Sequence, residues 1–91
     1  MKAQLIRVNE EPKDIIPENG TDFGLQELYR LLECDMIQII SLAEGTIMIM
    51  DEEGKFRAER NDTATGMARP FIFTGDFVAG HVIVCDSDMV R

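Results

Sequence analysis

Leu25, Leu28, Tyr29 and Leu32 recur at the spacing of one helical face, while Gln26, Glu27, Arg30 and Glu33 fill the other. That period predicts an amphipathic helix from Leu25 to about Glu33 or Cys34. Gly24 or Thr21 is placed as its N-cap, and Glu27 stands where the acid of a capping box would. On either side the period changes. Met36–Leu42 is apolar on nearly both faces, as a central strand is, and Thr46–Met50 follows the turn Ala43-Glu44-Gly45 as its antiparallel partner. Upstream, Lys2–Val8 and Lys13–Ile16 flank Asn9-Glu10-Glu11-Pro12 and predict an opening hairpin. Pro17–Asp22 is dense in loop residues.

Downstream, Asp51-Glu52-Glu53-Gly54-Lys55 predicts a solvated hairpin turn with Gly54 at positive φ. Phe56–Arg60 then reads as a short charged edge strand. Asn61–Gly66 opens a short helix that reaches Met67 or Ala68 and ends at Arg69-Pro70, because the residue before proline avoids helical geometry. Phe71-Ile72-Phe73 and Phe77-Val78 are short apolar pieces, His81–Cys85 is the last strand, and Asp86–Arg91 is a tail. The expected fold is α+β in a single domain over residues 1–91. It has a largely antiparallel sheet of about five to six strands, one main helix and a short second helix. A hairpin followed by a crossing helix is also how a β-grasp sheet begins.

Length sharpens this picture. Ninety-one residues leave no room for a cofactor domain beside a substrate domain. A chain of this size buries only roughly 60–65% of its unfolded surface, so it is marginal alone and gains from forming a homo-oligomer. Seventeen acidic against nine basic residues give a net charge of -8, which repels nucleic acid and anionic membranes. The N-terminus has no apolar run of signal-peptide length, and no stretch approaches a membrane span. The expectation is a cytoplasmic protein. Cys34 and Cys85 lie far apart and outside any C-x-x-C pair, as two reduced thiols would.

Several stretches, taken in order, resemble a family. They are Met1-Lys2-Ala3 with Ile6-Arg7-Val8-Asn9, then Pro17-Glu18-Asn19-Gly20 through Leu25-Gln26-Glu27-Leu28, and Ile37-Gln38-Ile39-Ile40. Asp51-Glu52-Glu53-Gly54-Lys55, Asn61 with Ala64-Thr65, and Gly80 with Val82-Ile83-Val84 complete the set. Together they resemble a domain-of-unknown-function family of small proteins from bacterial phages, plasmids and integrative elements. Gly24 departs from it where a capping Thr or Ser is expected, and His81 where an acidic or polar residue is. The resemblance implies a mobile-element accessory protein and carries no catalytic residue across.

Candidate chemistry is sparse. Asp51, Glu52 and Glu53 lack the spacing of a calcium loop, and one histidine with two scattered cysteines lacks that of a zinc site. No metal and no cofactor is expected. His81 and Cys85 share a strand face but lie roughly 13 Å apart at strand rise, too far for a nucleophile–base pair. His81 therefore reads as a rim residue, and the methionines, Met48 and Met50 among them, as core filler.

Lys55–Arg69 is different. It holds four of the nine basic residues against two acids. Arg57, Arg60, Asn61, Thr65 and Arg69 are the candidate site for a small anion or an acidic group of a partner, provided they converge. The alternative is that the arginines solvate an edge strand while Asp62 or Thr63 caps a helix. The functional expectation is a binding or accessory protein without catalysis, engaging a protein or a small acidic ligand. An acidic decoy that mimics nucleic acid and inhibits a host DNA-binding enzyme is the alternative. An enzyme with a shallow site at Asn61–Thr65 ranks last.

Overall fold

The apolar alternation resolves into one five-stranded sheet in the computed structural model, which describes residues 3–90. The strands are β1 (Ala3–Ile6), β2 (Lys13–Ile15), β3 (Ile37–Ser41), β4 (Thr46–Asp51) and β5 (Val82–Asp86). Their order is β2-β1-β5-β4-β3, and every pairing is antiparallel. The fold is α+β, and its likeness to a β-grasp stops at the opening hairpin and helix. The last strand in sequence is thus the central one, inserted between two hairpins. Two predicted termini, the strand start at Lys2 and the tail end at Arg91, lie outside the described residues.

Both sheet faces are covered. Helix α1 (Leu25–Leu32) packs Leu28 and Leu32 with Phe23, Ala3, Leu5, Ile47, Ile49, Ile83, Cys85 and Met89 on one face. On the other face, Ala64 and Ala68 meet Ile6, Met48, Met50, Val78, Val82 and Val84. Met48, Met50 and Met89 are core residues as expected, but Met36 and Met67 are exposed, so the methionines are not all core filler. Gly24 is the N-cap of α1 and offers no side-chain bond. The buried Glu27 carboxylate instead accepts from the Glu18 N–H at 2.9 Å, which ties the 17–22 loop to the helix.

Three expectations are corrected between Asp51 and Arg60. Asp51 ends β4 as a buried residue and is not part of a solvated turn. Residues 56–60 form no edge strand: Gly54–Arg57 is a helical turn, α2, and only Arg60 makes an isolated bridge, to Ala79. Phe56 is 89% exposed, so its alternation with charged neighbours never reflected a buried face. Gly54 does not adopt positive φ. It is required because a Cβ there would lie 2.7 Å from the Ala79 carbonyl oxygen.

The second helix, α3 (Asp62–Ala68), runs as predicted, with Asn61 as its N-cap. A 3-10 turn at Arg69–Phe71 prolongs it past Pro70. The predicted tail is structured: a 3-10 turn at Ser87–Met89 buries Met89, whose carbonyl accepts from the Phe23 N–H at 2.7 Å.

Candidate binding cleft

At one end of the sheet, the exits of β1 and β4 meet the entry of β5. Val8, Leu32, Glu33, Asp51, Arg57–Glu59, Gly80 and His81 enclose a cleft of about 330 Å³ there. The end of α1 forms one wall. Glu33 caps that helix in the left-handed region, at φ 55°, and the Cys34 N–H closes onto the Tyr29 carbonyl at 3.0 Å. Glycine would hold this position without strain, whereas a side chain there costs about 1 kcal/mol. In return the Glu33 carboxylate stands 3.3 Å from His81 Nε2.

The His81 ring is held at Nδ1 and approached at Nε2. Nδ1 accepts the Val8 N–H at 3.2 Å, so in the neutral ring Nε2 carries the proton and faces Glu33. Arg57 sends both Nε and Nη2 to Asp51 Oδ2, each at 2.9 Å, and its Nη2 lies 3.8 Å from Asp35 Oδ1 just beyond α1. Asp51 Oδ1 accepts the Glu53 N–H at 2.9 Å. The hydrogen bond and charge of Asp51, with Asp35 and Glu53 nearby, raise the Arg57 pKa above its ordinary value. Glu59 Oε2 accepts from Asn9 Nδ2 at 3.4 Å. The cleft therefore carries Glu33, Asp51 and Glu59 against one guanidinium and one imidazole, with Val8, Leu32, Ala58 and Gly80 as its apolar lining.

The five residues read as an anion site are not brought to one surface. Asn61 and Thr65 are buried. Asn61 Oδ1 accepts from the Ala64 N–H, and its Nδ2 donates to the carbonyls of Ile6 and Gly80 at 3.0 and 2.9 Å. Thr65 Oγ1 donates to the Val78 carbonyl and accepts the Val78 N–H. Both are structural, because a polar side chain closed away from water must satisfy its own bonds. Arg57 turns to Asp51. Arg60 turns to Asp62, at 2.9 Å, and lies 5.8 Å from the Phe77 ring centre, which Lys55 also approaches at 5.3 Å. Arg69 is exposed in the 3-10 turn beyond α3. Of the five, only Arg57 lines the cleft, and its charge is already met by a carboxylate. Glu33 and Glu59 were not singled out from sequence, since their contacts, with His81 and Asn9, join distant segments; Asp51 was weighed there only as part of a metal loop or a turn.

The family model described as "Domain of unknown function (DUF3846)" matches residues 1–89. The chain belongs to that family. No curated protein and no solved structure matches it. The cleft of this DUF3846 domain includes both Gly80 and His81. No helix among the described residues is long and apolar enough to cross a membrane. Among those residues, too, no three His, Cys, Asp or Glu side chains are grouped as a metal ion requires.

Its two thiols differ in access. Cys85 is buried in β5, and desolvation, with Asp86 and Asp88 nearby, pushes its pKa up to about 11. Cys34, half-buried, is also raised, first by desolvation and then by Asp51. The thiolate is the reactive form. Iodoacetamide at pH 8 is therefore expected to modify Cys34 slowly and Cys85 only after urea unfolding, read by peptide mass spectrometry. The thiol proton is held more tightly in the folded state, so stability contributed by Cys85 is lost as pH rises from about 9 towards 11.

Proposed function

We propose that this DUF3846 domain is a binding module that grips a cationic side chain of a partner protein in the β1–β4–β5 end cleft, without chemistry of its own. The observation that carries this reading is Glu33. A glutamate occupies a left-handed helix cap at an energetic cost, and its carboxylate lines a cleft already rich in acids. The apolar lining residues suit the aliphatic stem of lysine or arginine, and the Glu33 and Glu59 carboxylates suit its head. The net charge of -8 would draw such a partner in at long range. An acidic ligand fits less well, because Arg57 and Arg60 already have carboxylate partners. The same pairings interrupt the negative surface that a nucleic-acid decoy would need. The resemblance to proteins of phages, plasmids and integrative elements supports a cytoplasmic accessory role for the module.

The test is an NMR titration of the amide spectrum with N-acetyl-arginine amide, and separately with inorganic phosphate. Arginine is expected to shift the Val8, Glu33, Gly80 and His81 amides, with phosphate leaving them in place. Glu33→Gly removes the carboxylate and relieves the left-handed strain, so it should abolish those shifts without lowering stability. If phosphate moves these amides and arginine does not, the cleft is an anion site and the proposal fails.

A further inference from the structure

The two edges of the sheet are built differently. The β2 edge is three residues long, follows Pro12, and carries Lys13 and Asp14. Short length, proline and charge are the ordinary defences of an edge strand against pairing. The β3 edge has none of them. It runs for five residues, and Met36–Ala43 holds no Asp, Glu, Lys or Arg in a chain of net charge -8.

Hydrogen-bond parity fixes what β3 presents. The Met36 carbonyl accepts from Glu52, and the Leu42 N–H donates to Thr46. Met36 and Leu42 thus turn their main-chain groups towards β4, as do Gln38 and Ile40 at the same parity. The N–H and C=O groups of Ile37, Ile39 and Ser41 face outward. Among the described residues no backbone bond reaches that edge. The side chain of Ile39 is left 45% exposed at its centre.

We propose that β3 is the seam of a two-fold homodimer, pairing antiparallel with β3 of a second copy to give one continuous ten-stranded sheet. The edge is complementary to itself. An antiparallel register centred on Ile39 sets Ile39 against Ile39, and Ile37 against Ser41 of the second copy. Every outward-facing residue then meets an outward-facing residue, and each such pair exchanges two main-chain hydrogen bonds. The symmetry is that of an isologous interface. Charge favours the same place: two copies of an acidic chain repel each other least where the surface is uncharged.

Neighbouring apolar surface adds to the seam. Pro70–Phe73 and Asp76, whose charge is paired with Lys55, lie alongside Gln38 and Ile40 and form with them a groove of about 440 Å³. Phe73 is 87% exposed and Phe71 45%. An added strand sits about 4.8 Å beyond β3. That spacing brings its own Gln38 and Ile40 towards these two rings, on the α3 face of the sheet.

Sedimentation equilibrium from about 10 to 500 µM, with amide exchange on the unmodified protein, tests this. The protein should sediment as a dimer at the upper concentrations. The Ile37, Ile39 and Ser41 amides should be protected there and lose protection on dilution. Ile39→Lys sets two like charges face to face, and Ile39→Pro removes an outward N–H without touching the β4 ladder. Each should weaken the dimer by at least about 30-fold, roughly 2 kcal/mol, with circular dichroism reporting the fold. A monomer at all concentrations overturns the proposal and leaves the edge to an extended segment of another protein. A dimer that survives both variants, or forms with those three amides unprotected, places the interface elsewhere and also overturns it. Neither outcome bears on the cleft.

Discussion

Asn61→Ala is expected to lower stability by about 3 kcal/mol, or roughly 15 °C in the thermal midpoint of a domain this size. The side chain makes three bonds that nothing else can replace. Its Oδ1 caps α3 through the Ala64 N–H, a contribution of about 1 kcal/mol. Its Nδ2 joins the Ile6 carbonyl at the end of β1 to the Gly80 carbonyl ahead of β5. Leaving buried carbonyls without donors adds about 1–3 kcal/mol. Asn61→Asp is the sharper control. It keeps the capping oxygen but sets a second carboxylate oxygen against those two carbonyls, so it should be no better than alanine at neutral pH. Arg60→Ala, at an exposed pair with Asp62, should stay within about 0.5 kcal/mol. Urea denaturation of the three variants decides the matter. A near-neutral Asn61→Ala would mean that the buried bonds are not what holds β1, α3 and the Gly80 turn together.

Gly54→Ala should cost about 2 kcal/mol although alanine is the better helix former. The new Cβ would lie 2.7 Å from the Ala79 oxygen and 3.3 Å from its carbonyl carbon. Both are backbone atoms, so no side-chain rotation relieves the clash. The strand connection at 79–80 would have to move, and it carries the Arg60–Ala79 bridge and the carbonyl that Asn61 holds. Gly66→Ala tests the same chemical change in open space. Nothing lies within 4 Å of a Cβ there, and the position is inside α3. It should raise stability by about 0.5–1 kcal/mol. Equal effects at the two glycines would rule out close packing as the reason for Gly54.

The elements legible in the sequence are those whose burial repeats with a local period. Leu28 and Leu32 mark α1, although Leu25 at its start is exposed, and the alternation of Ile47 and Ile49 with Met48 and Met50 marks a strand buried on both faces. Phe56–Arg60 misled because alternation of apolar Phe56 and Ala58 with charged Arg57 and Glu59 looks the same whether or not one face is covered. Here the aromatic faces solvent. Gly54 misled for a related reason: a glycine needed for close approach and a glycine needed for positive φ are identical letters. Asn61 and Thr65 carried a true signal, since polar residues in that pattern do something specific. What they do is hold Ile6, Val78 and Gly80, partners 13 to 55 residues away. The cleft was legible only in part for the same reason. Arg57 stood out by charge and His81 by being single, but the bond from Val8 to His81 spans 73 residues.

The central position of β5 has a consequence for synthesis. Until residues 82–86 leave the ribosome, the chain holds two hairpins, β1–β2 and β3–β4, with nothing between them to hydrogen-bond. An isolated two-stranded hairpin is at best marginally stable in water. The nascent chain must therefore carry its uncovered Ile- and Met-rich β4 unfolded from its emergence until residues 82–86 follow. A stop codon or frameshift after Phe77 would not give a smaller domain. It would leave two hairpins with open edges on both sides, the form of the chain most exposed to proteases and to aggregation.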